Sequence, residues 1–323
     1  MILLRLLIHQ NQFSCLNGSS YHLGSILIIL IIRVERLHDE VSIVLVGKYT
    51  SLQDSYISVV KSLQHAAYSI NRKLKLEWVE AEDLEDSMLS SNPGKYHESW
   101  KKLVSASGIL VPGGFGERGT EGKISAVKWA RENKIPFLGI CLGLQIAVIE
   151  FARNVCGLEN ANSTELDKDT PHPVVIFMPE ISKSHMGGTM RLGSRETIFT
   201  SDSDSSVIRK LYGGSDKIYE RHRHRYEVNP EYVFKLESTG LKFIGKDSKG
   251  ERMIILEIPD HPFFIATQYH PEYKTRPIKP TPCFLGLVLA SAGLLKEYLQ
   301  VNFLFSNYQE DQSLGRYKSQ IFE

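Results

Sequence analysis

Short apolar runs closed by glycine or a polar turn alternate along the chain with stretches whose apolar residues recur every three or four positions. This rhythm predicts strands and helices in turn. Val41 to Gly47 (VSIVLVG) is nearly continuous in apolar residues, as a strand buried on both faces would be. Tyr56, Val59, Val60, Leu63, Ala67 and Ile70 then follow at helical spacing, and Leu74 to Val79 reads as a second strand. Glu80 to Asp86 reads as an acidic loop and Pro93-Gly94 as a turn. Gly108 to Val111 and Pro136 to Ile140 are two more strands. Between them lie a glycine-rich turn, Pro112 to Gly119, and a helix from about Gly122 to Asn133. A further helix opens directly after Cys141, with Leu144, Val148 and Phe151 available for packing. Strands that alternate with helices argue for an α/β fold, a mostly parallel sheet covered on both faces.

The second half has a different texture. Leu241 to Lys246 and Glu251 to Ile258 flank Asp247-Ser248-Lys249-Gly250, which predicts an added β-hairpin region. Phe263 to Gln268 is another strand, and Phe284 to Leu299 a closing helix. Both ends stand apart. Leu6 to Ile32 has no Asp, Glu, Lys or Arg, and Ile26 to Ile32 is wholly apolar. A membrane span needs about 20 mostly apolar residues, and Gln10, Asn11, Gln12, Ser14, Asn17, Ser19 and Ser20 interrupt this stretch. Residues 1–40 therefore read as an extension outside the domain, loose or packed on the surface, with a membrane anchor as the alternative. Residues 41–300 form the domain, and the polar, aperiodic 301–323 a loose tail.

Composition narrows the setting more than the function. At 42% hydrophobic and 23% charged, with net charge +1, the chain offers no broad field for nucleic acid or an anionic membrane. Cys15, Cys141, Cys156 and Cys283 are far apart and unpaired in spacing. Neither a disulfide framework nor a zinc ribbon follows, and a reducing, cytoplasmic setting is expected.

The chemistry starts at Gly139-Ile140-Cys141-Leu142-Gly143, between a predicted strand and a predicted helix. Two glycines around one nucleophilic side chain are the pattern of an elbow, a strained turn that pushes that side chain outward. The helix N-terminus at Leu142 favours negative charge on the sulfur, and the Leu142 N–H can face a substrate carbonyl. A buried structural cysteine is the commoner fate of a lone Cys, but it requires neither glycine. A cysteine nucleophile needs a base, and the base an orienting group. His270-Pro271-Glu272 directly follows an apolar strand, and residues two apart on an extended segment share a side. Alone, a solvated turn explains His-Pro-Glu equally well; beside the elbow it becomes a candidate partner.

Gly114-Phe115-Gly116-Glu117-Arg118-Gly119 fits G-x-G-x-x-G, yet the next strand ends in Cys141 where a dinucleotide fold places a carboxylate. A phosphate loop fails too, because Ile124 follows Gly122-Lys123 and Glu117 occupies the first glycine position. The turn more plausibly supplies an N–H, from Gly114, to an oxyanion. Arg221 to Arg225 alternates arginine with histidine. It is either a solvated, ion-paired strand or a clamp for a substrate carboxylate. His222 and His224 lack further ligands nearby for a metal.

Taken together, GICLGLQ, VPGGFGERG, ENANSTEL, MGGTMRLG, ERHRHRYEVNP and QYHPEY resemble the C-terminal class I glutamine amidotransferase domain of the CTP synthases, from about Val41 to Gln300. The resemblance implies a three-layer fold in which Cys141 is the nucleophile, His270 the base and Glu272 its orienter. It places Gly114 and Leu142 at the oxyanion hole, and Gly114, Leu142, Gly143, Leu144, Gln145, Glu165 and Arg225 around L-glutamine. It also implies a partner, since in the family the released ammonia passes to a synthetase domain that aminates UTP with ATP and magnesium. That domain is N-terminal in the family and forty residues do not hold it, so the chain reads as a partial form with no cofactor of its own. Its expected partners are a synthetase domain or full-length subunits. GTP activates the family and would act near Phe115 to Gly122 and MGGTMRLG. The loop at Ser182 to His185 looks altered, which argues against that control here. Two rivals remain: a non-catalytic module that assembles with full-length subunits, and another Cys-His-Glu hydrolase acting on γ-glutamyl substrates.

Overall fold

The structure is a computed structural model, and it describes residues 37–50, 52–178 and 190–301. The expectations for residues 1–36, for 302–323, for Ser182 to His185 and for Met186 to Thr189 of MGGTMRLG fall outside the described residues, as does Cys15.

Five parallel strands form one side of a nine-stranded sheet. They are β1 (Glu40–Gly47), β2 (Lys73–Glu80), β3 (Gly108–Val111), β4 (Phe137–Ile140) and β12 (Phe264–Thr267), in the order β2-β1-β3-β4-β12. The sheet continues antiparallel through β11 (Met253–Glu257), β10 (Lys242–Lys246), β7 (Arg191–Phe199) and β8 (Lys217–His224). A second, three-stranded sheet holds β5 (Asn162–Ser163), β6 (Pro173–Phe177) and β9 (Tyr226–Val228). The hairpin expected at 241–258 exists as β10 and β11. It is a continuation of the central sheet, with Asp247 Oδ1 accepting from the N–H groups of Glu251 and Arg252 to hold its turn.

Alternation along β1 divides the core into two layers. Val44 and Val46 point to one face, toward α4 (Thr120–Glu132), α5 (Leu142–Asn154) and Leu236 of α7 (Pro230–Ser238). Ile43 and Leu45 point to the other, toward α1 (Ile57–Ser69), α8 (Pro282–Ser291) and Ile208 of α6 (Val207–Leu211). Apolar burial on both faces is what a helix-covered sheet demands, and it accounts for the predominantly apolar character of β1, β3, β4 and β12. Each fully buried Leu, such as Leu63 on α1, contributes about 2 kcal/mol by leaving water.

Three local expectations change. The acidic stretch after β2 is a single 3₁₀ turn (Ala81–Leu84) followed by α2 (Asp86–Ser91). Pro93 opens α3 (Pro93–Ser105) instead of closing a turn. The Asn92 side chain caps it by accepting from the Lys95 N–H, and proline at the first helical position gives up only an N–H that would have no helical partner. The closing helix is interrupted: α8 ends at Ser291, Gly293 takes φ +72°, and the chain is helical again over 295–301.

Candidate active site

Cys141 occupies the corner between β4 and α5 with φ 54° and ψ −100°, a strained conformation for a residue with a side chain. Its N–H donates to Thr267 O at 2.7 Å, and its carbonyl accepts from Leu144 and Gln145 N–H, so both arms of the turn are fastened. The flanking glycines are sterically required. A Cβ on Gly139 would stand 2.7 Å from Gly143 O, and one on Gly143 only 2.2 Å from Val111 O. The elbow read from the sequence is thus present with its physical cause. Leu142 begins α5, and its N–H is among those that a helix cannot satisfy within itself.

His270 and Glu272 meet. His270 Nδ1 lies 2.8 Å from Glu272 Oε1. The route differs from the extended segment expected, because Pro271–Lys274 coils into one 3₁₀ turn that folds the carboxylate back onto the ring. The turn is secured by His270 N–H donating to Arg221 O at 2.8 Å and by α1, whose Ser62 hydroxyl reaches Glu272 O at 3.5 Å. The ring also faces the sulfur. A Cβ built on Gly113 would lie 3.0 Å from His270 Cε1 and 3.4 Å from Cys141 Cβ, so both side chains border one glycine. Burial alone would lower the imidazole's proton affinity. Hydrogen bonds to Cys141 and Glu272, with their negative charge, outweigh it and raise the pKa to about 10.

The glycine-rich turn beside the cysteine is held by charges from below. Buried Lys48 donates to Phe115 O at 2.9 Å and to Gly116 O, while Lys123 lies 3.4 Å from Gly119 O. Burial, with Lys48 nearby, lowers Lys123 to about 7. Arg118 binds Glu80 at 3.1 Å and Glu82 at 3.2 Å. With its carbonyls drawn inward to the lysines, this turn contributes Gly114 to the pocket wall.

A small cleft of about 40 Å³ opens at Cys141, lined by Gly114, Cys141, Leu142, Gln145, Glu165 and Arg225, together with Phe115, Arg223, His224 and Tyr226. Six of the residues singled out from the sequence therefore share one cleft. Gly143 and Leu144 lie elsewhere: Gly143 packs on Val111 O, and Leu144 is fully buried in the core. Gln145 is fixed by donating to Tyr226 O at 2.9 Å. Glu165 is pushed up by burial, with Lys48 and Arg225 opposing the shift. The exposed arginines of β8 and its end share one side, as the alternation required. Arg223 lies over the Phe115 ring at 5.8 Å and Arg221 over Tyr273 at 5.2 Å. Between them His222 and His224 point inward and bond to each other at 2.9 Å. Burial drives their pKa values down to about 2 and about 3.

Residues 51–290 match the family described as glutamine amidotransferase class-I. The chain belongs to this family. Within the class-I amidotransferases it is 59% identical to CTP synthase of Schizosaccharomyces pombe over 266 residues, 82% of this chain and 44% of that one. It is 58% identical to human CTP synthase 1 over 268 residues, 83% of this chain and 45% of that one. The chain thus spans a little under half the length of the curated relatives it matches. Among solved structures, the glutaminase domain of the Trypanosoma brucei CTPS, determined with acivicin bound, has a TM-score of 0.70 and 39% identity. It covers 78% of this chain and 94% of that domain. The likeness is therefore to a class-I amidotransferase domain of the CTP synthase kind, on an α/β sheet with helices on both faces.

Three residues that stand at this cleft or beneath its loop carry no clear signal in the sequence reading. Lys48, beneath the glycine-rich turn, follows the apolar run of β1 with no signal of its own. Tyr226 reaches the cleft by a bend after β8. Gln268 was legible in principle, since it precedes His270 by two positions and so shares its side of the strand end. It is 1% exposed, and its Nε2 stands 3.7 Å from Cys141 Sγ. Among the described residues Cys141, Cys156 and Cys283 are free thiols, and no helix is long and apolar enough to cross a membrane.

Proposed function

We propose that this chain hydrolyses L-glutamine to glutamate and ammonia through Cys141, His270 and Glu272. The reading is supported above all by one observation: the Cys141 side chain and the Glu272-oriented imidazole of His270 border the same glycine, Gly113, and Cys141 also lines a cleft walled by Gly114 and Leu142. Cys141 sulfur attacks the side-chain amide carbon. The oxygen becomes an oxyanion held by the N–H groups of Gly114 and Leu142, where losing one donor costs about 10²–10³ in rate. His270, positively charged and held by Glu272, gives its proton to the departing nitrogen, which leaves as ammonia. Water then attacks the γ-glutamyl thioester, His270 takes the water's proton, and the released sulfur pairs again with the imidazolium. Glu165, raised by its burial, and Arg225 stand at the far wall, where the substrate's α-ammonium and α-carboxylate would be recognised.

The ammonia would serve ATP-dependent amination of UTP to CTP by a CTP synthase synthetase domain, in a cytoplasmic setting. ATP, UTP and magnesium belong to that domain in this reading, and GTP is the candidate activator at the Phe115 turn. The test is ammonia release from L-glutamine, with and without an added CTP synthase synthetase domain, followed by CTP formation from UTP and ATP. Ammonia without CTP is expected from the chain alone, and CTP once the synthetase domain is added. No ammonia under either condition, or hydrolysis of γ-glutamyl peptides in preference to free glutamine, refutes the reading.

A further inference from the structure

The strand end after β12 delivers three consecutive side chains in alternation. Tyr269 turns into a polar cluster with partly buried Tyr212 and buried Cys283, its hydroxyl 3.2 Å from Tyr212 Oη and 3.6 Å from Cys283 Sγ. Gln268 and His270, on either side of it, turn the other way, and both reach Cys141. His270 is accounted for by the proposed mechanism. Gln268 is not.

A buried carboxamide must place a carbonyl and two N–H donors, because each one left unmade costs free energy. Gln268 directs one donor and its carbonyl to the site. Its Nε2 donates toward Cys141 Sγ at 3.7 Å, its Oε1 accepts from Gln145 Nε2 at 3.5 Å, and Gln145 in turn is anchored to Tyr226 O. Its backbone N–H is engaged separately, with Ile254 O at 2.9 Å, so the side chain is free of any duty in the sheet ladder. A core glutamine that served packing alone would direct its donors to backbone carbonyls. This one directs a donor to a sulfur.

We propose that Gln268 is a further catalytic residue, whose amide N–H stabilises negative charge on Cys141 sulfur and ties the sulfur to the substrate-facing Gln145. An N–H aimed at sulfur favours the anion over the neutral thiol, because only the anion is a strong acceptor. It thus adds to the α5 N-terminus and to the imidazolium, and it does so from a group that neither gives up nor takes a proton during turnover. The same geometry links recognition to reactivity. A substrate that draws Gln145 Nε2 toward itself loosens the contact with Gln268 Oε1 and leaves that amide held by the sulfur alone.

The proposal deepens the glutaminase reading and takes Cys141 as its nucleophile, so its test is made without glutamine. Iodoacetamide labelling of Cys141 is followed across pH 5–10 by mass spectrometry of its peptide, which separates it from Cys156. Cys283 stays silent, since burial pushes that thiol up to about 12. Gln268→Met removes the donor but keeps the side chain's length. Its labelling profile is expected to move toward higher pH by about one unit, so that labelling falls about tenfold at pH values below the wild-type midpoint, the size of one charge-assisted hydrogen bond. Gln145→Met, with the amide of Gln268 intact, is expected to keep a labelling profile close to wild type, so that the shift is specific to the donor facing the sulfur. A folded Gln268→Met with the wild-type profile overturns the proposal. Should Gln268→Met not fold, Gln268→Glu keeps the shape and replaces the donor by an acceptor; an unshifted profile there overturns it equally. If wild type labels normally but releases no ammonia, it is the glutaminase reading that fails.

Discussion

The two sides of the nine-stranded sheet do different jobs and are built differently. On the parallel side, β1, β3, β4 and β12 are short, buried on both faces and almost featureless chemically until their C-terminal ends, where Cys141 and His270 emerge. On the antiparallel side, β8 strictly alternates exposed and buried positions, and its outward row is cationic and aromatic. The first side supplies a rigid frame that can hold strain at one residue; the second supplies an adaptable surface that closes over it, with Arg223, Arg225 and Tyr226 in the cleft wall. In the proposed mechanism the reacting groups come from the parallel strand ends, and the antiparallel side adds Arg225 to the wall that would hold the substrate's α-groups. Side chains at parallel strand ends converge on one point, while an alternating strand can spread several along a wall.

The division can be broken most severely at the nucleophile. Cys141→Ala is expected to lower ammonia release from glutamine by about 10⁴-fold or more while the circular dichroism spectrum stays that of wild type. Residual turnover near the wild-type rate would move the chemistry off the parallel side altogether. Next in size is the frame itself. Gly143→Ala drives a methyl to within 2.2 Å of Val111 O, so the elbow must shift. A loss of about 1–3 kcal/mol in denaturant unfolding is expected, with activity down about 100-fold. If stability and activity both survive, the strained corner is not what holds the sulfur.

Arg225→Ala examines the other side. It is expected to raise KM for glutamine about 10–100-fold, the cost of one charge-assisted contact, and to change kcat much less. An equal fall in kcat at constant KM would put this wall into the chemistry and erase the division.

The smallest effect is on pH and stability, where the two sides have opposite signs. His222 and His224 fold with pKa values of about 2 and about 3 against 6.5 for an exposed histidine. Their contribution is present above pH 6.5 and lost as pH falls toward 3, by up to about 1.4 kcal/mol per unit for the first to protonate. His270 folds at about 10, so its contribution is full below pH 6.5 and is lost as pH rises through 10. Unfolding free energy measured from pH 4 to 6.5 in wild type and in His222→Leu separates them. The variant should lose about one proton's worth of slope on the acid side only, and an unchanged slope would mean that the pair is not buried neutral.

Much of the parallel side was legible in the order of residues. A run such as VSIVLVG fits no other environment than a covered strand, and G-x-C-x-G between strand and helix has a steric meaning that the contacts at Gly139 and Gly143 make concrete. What was misread there was local. Pro93-Gly94 has the composition of a turn, and only the cap from Asn92 makes it a helix start; apolar spacing continues past Gly293, where the positive φ ends the helix. The antiparallel side was far less legible. β5, β6, β9 and α6 are short, and β7 is mostly polar, so periodicity has little to act on. Glu165 lies 24 positions beyond Cys141 in sequence and reaches the cleft through a loop that no pattern marks.

From the order of residues alone came the alternation of buried strands and helices and the elbow at Cys141. Each is a local consequence of backbone sterics or of a repeat of two or 3.6 residues. The folded chain alone decided that the hairpin extends the central sheet, that a 3₁₀ turn carries Glu272 onto His270, and that Gln268, Tyr226 and Lys48 attend the nucleophile and its loop. These depend on which strands lie side by side, and such pairings are set by burial summed over the whole chain, which no short stretch of sequence contains.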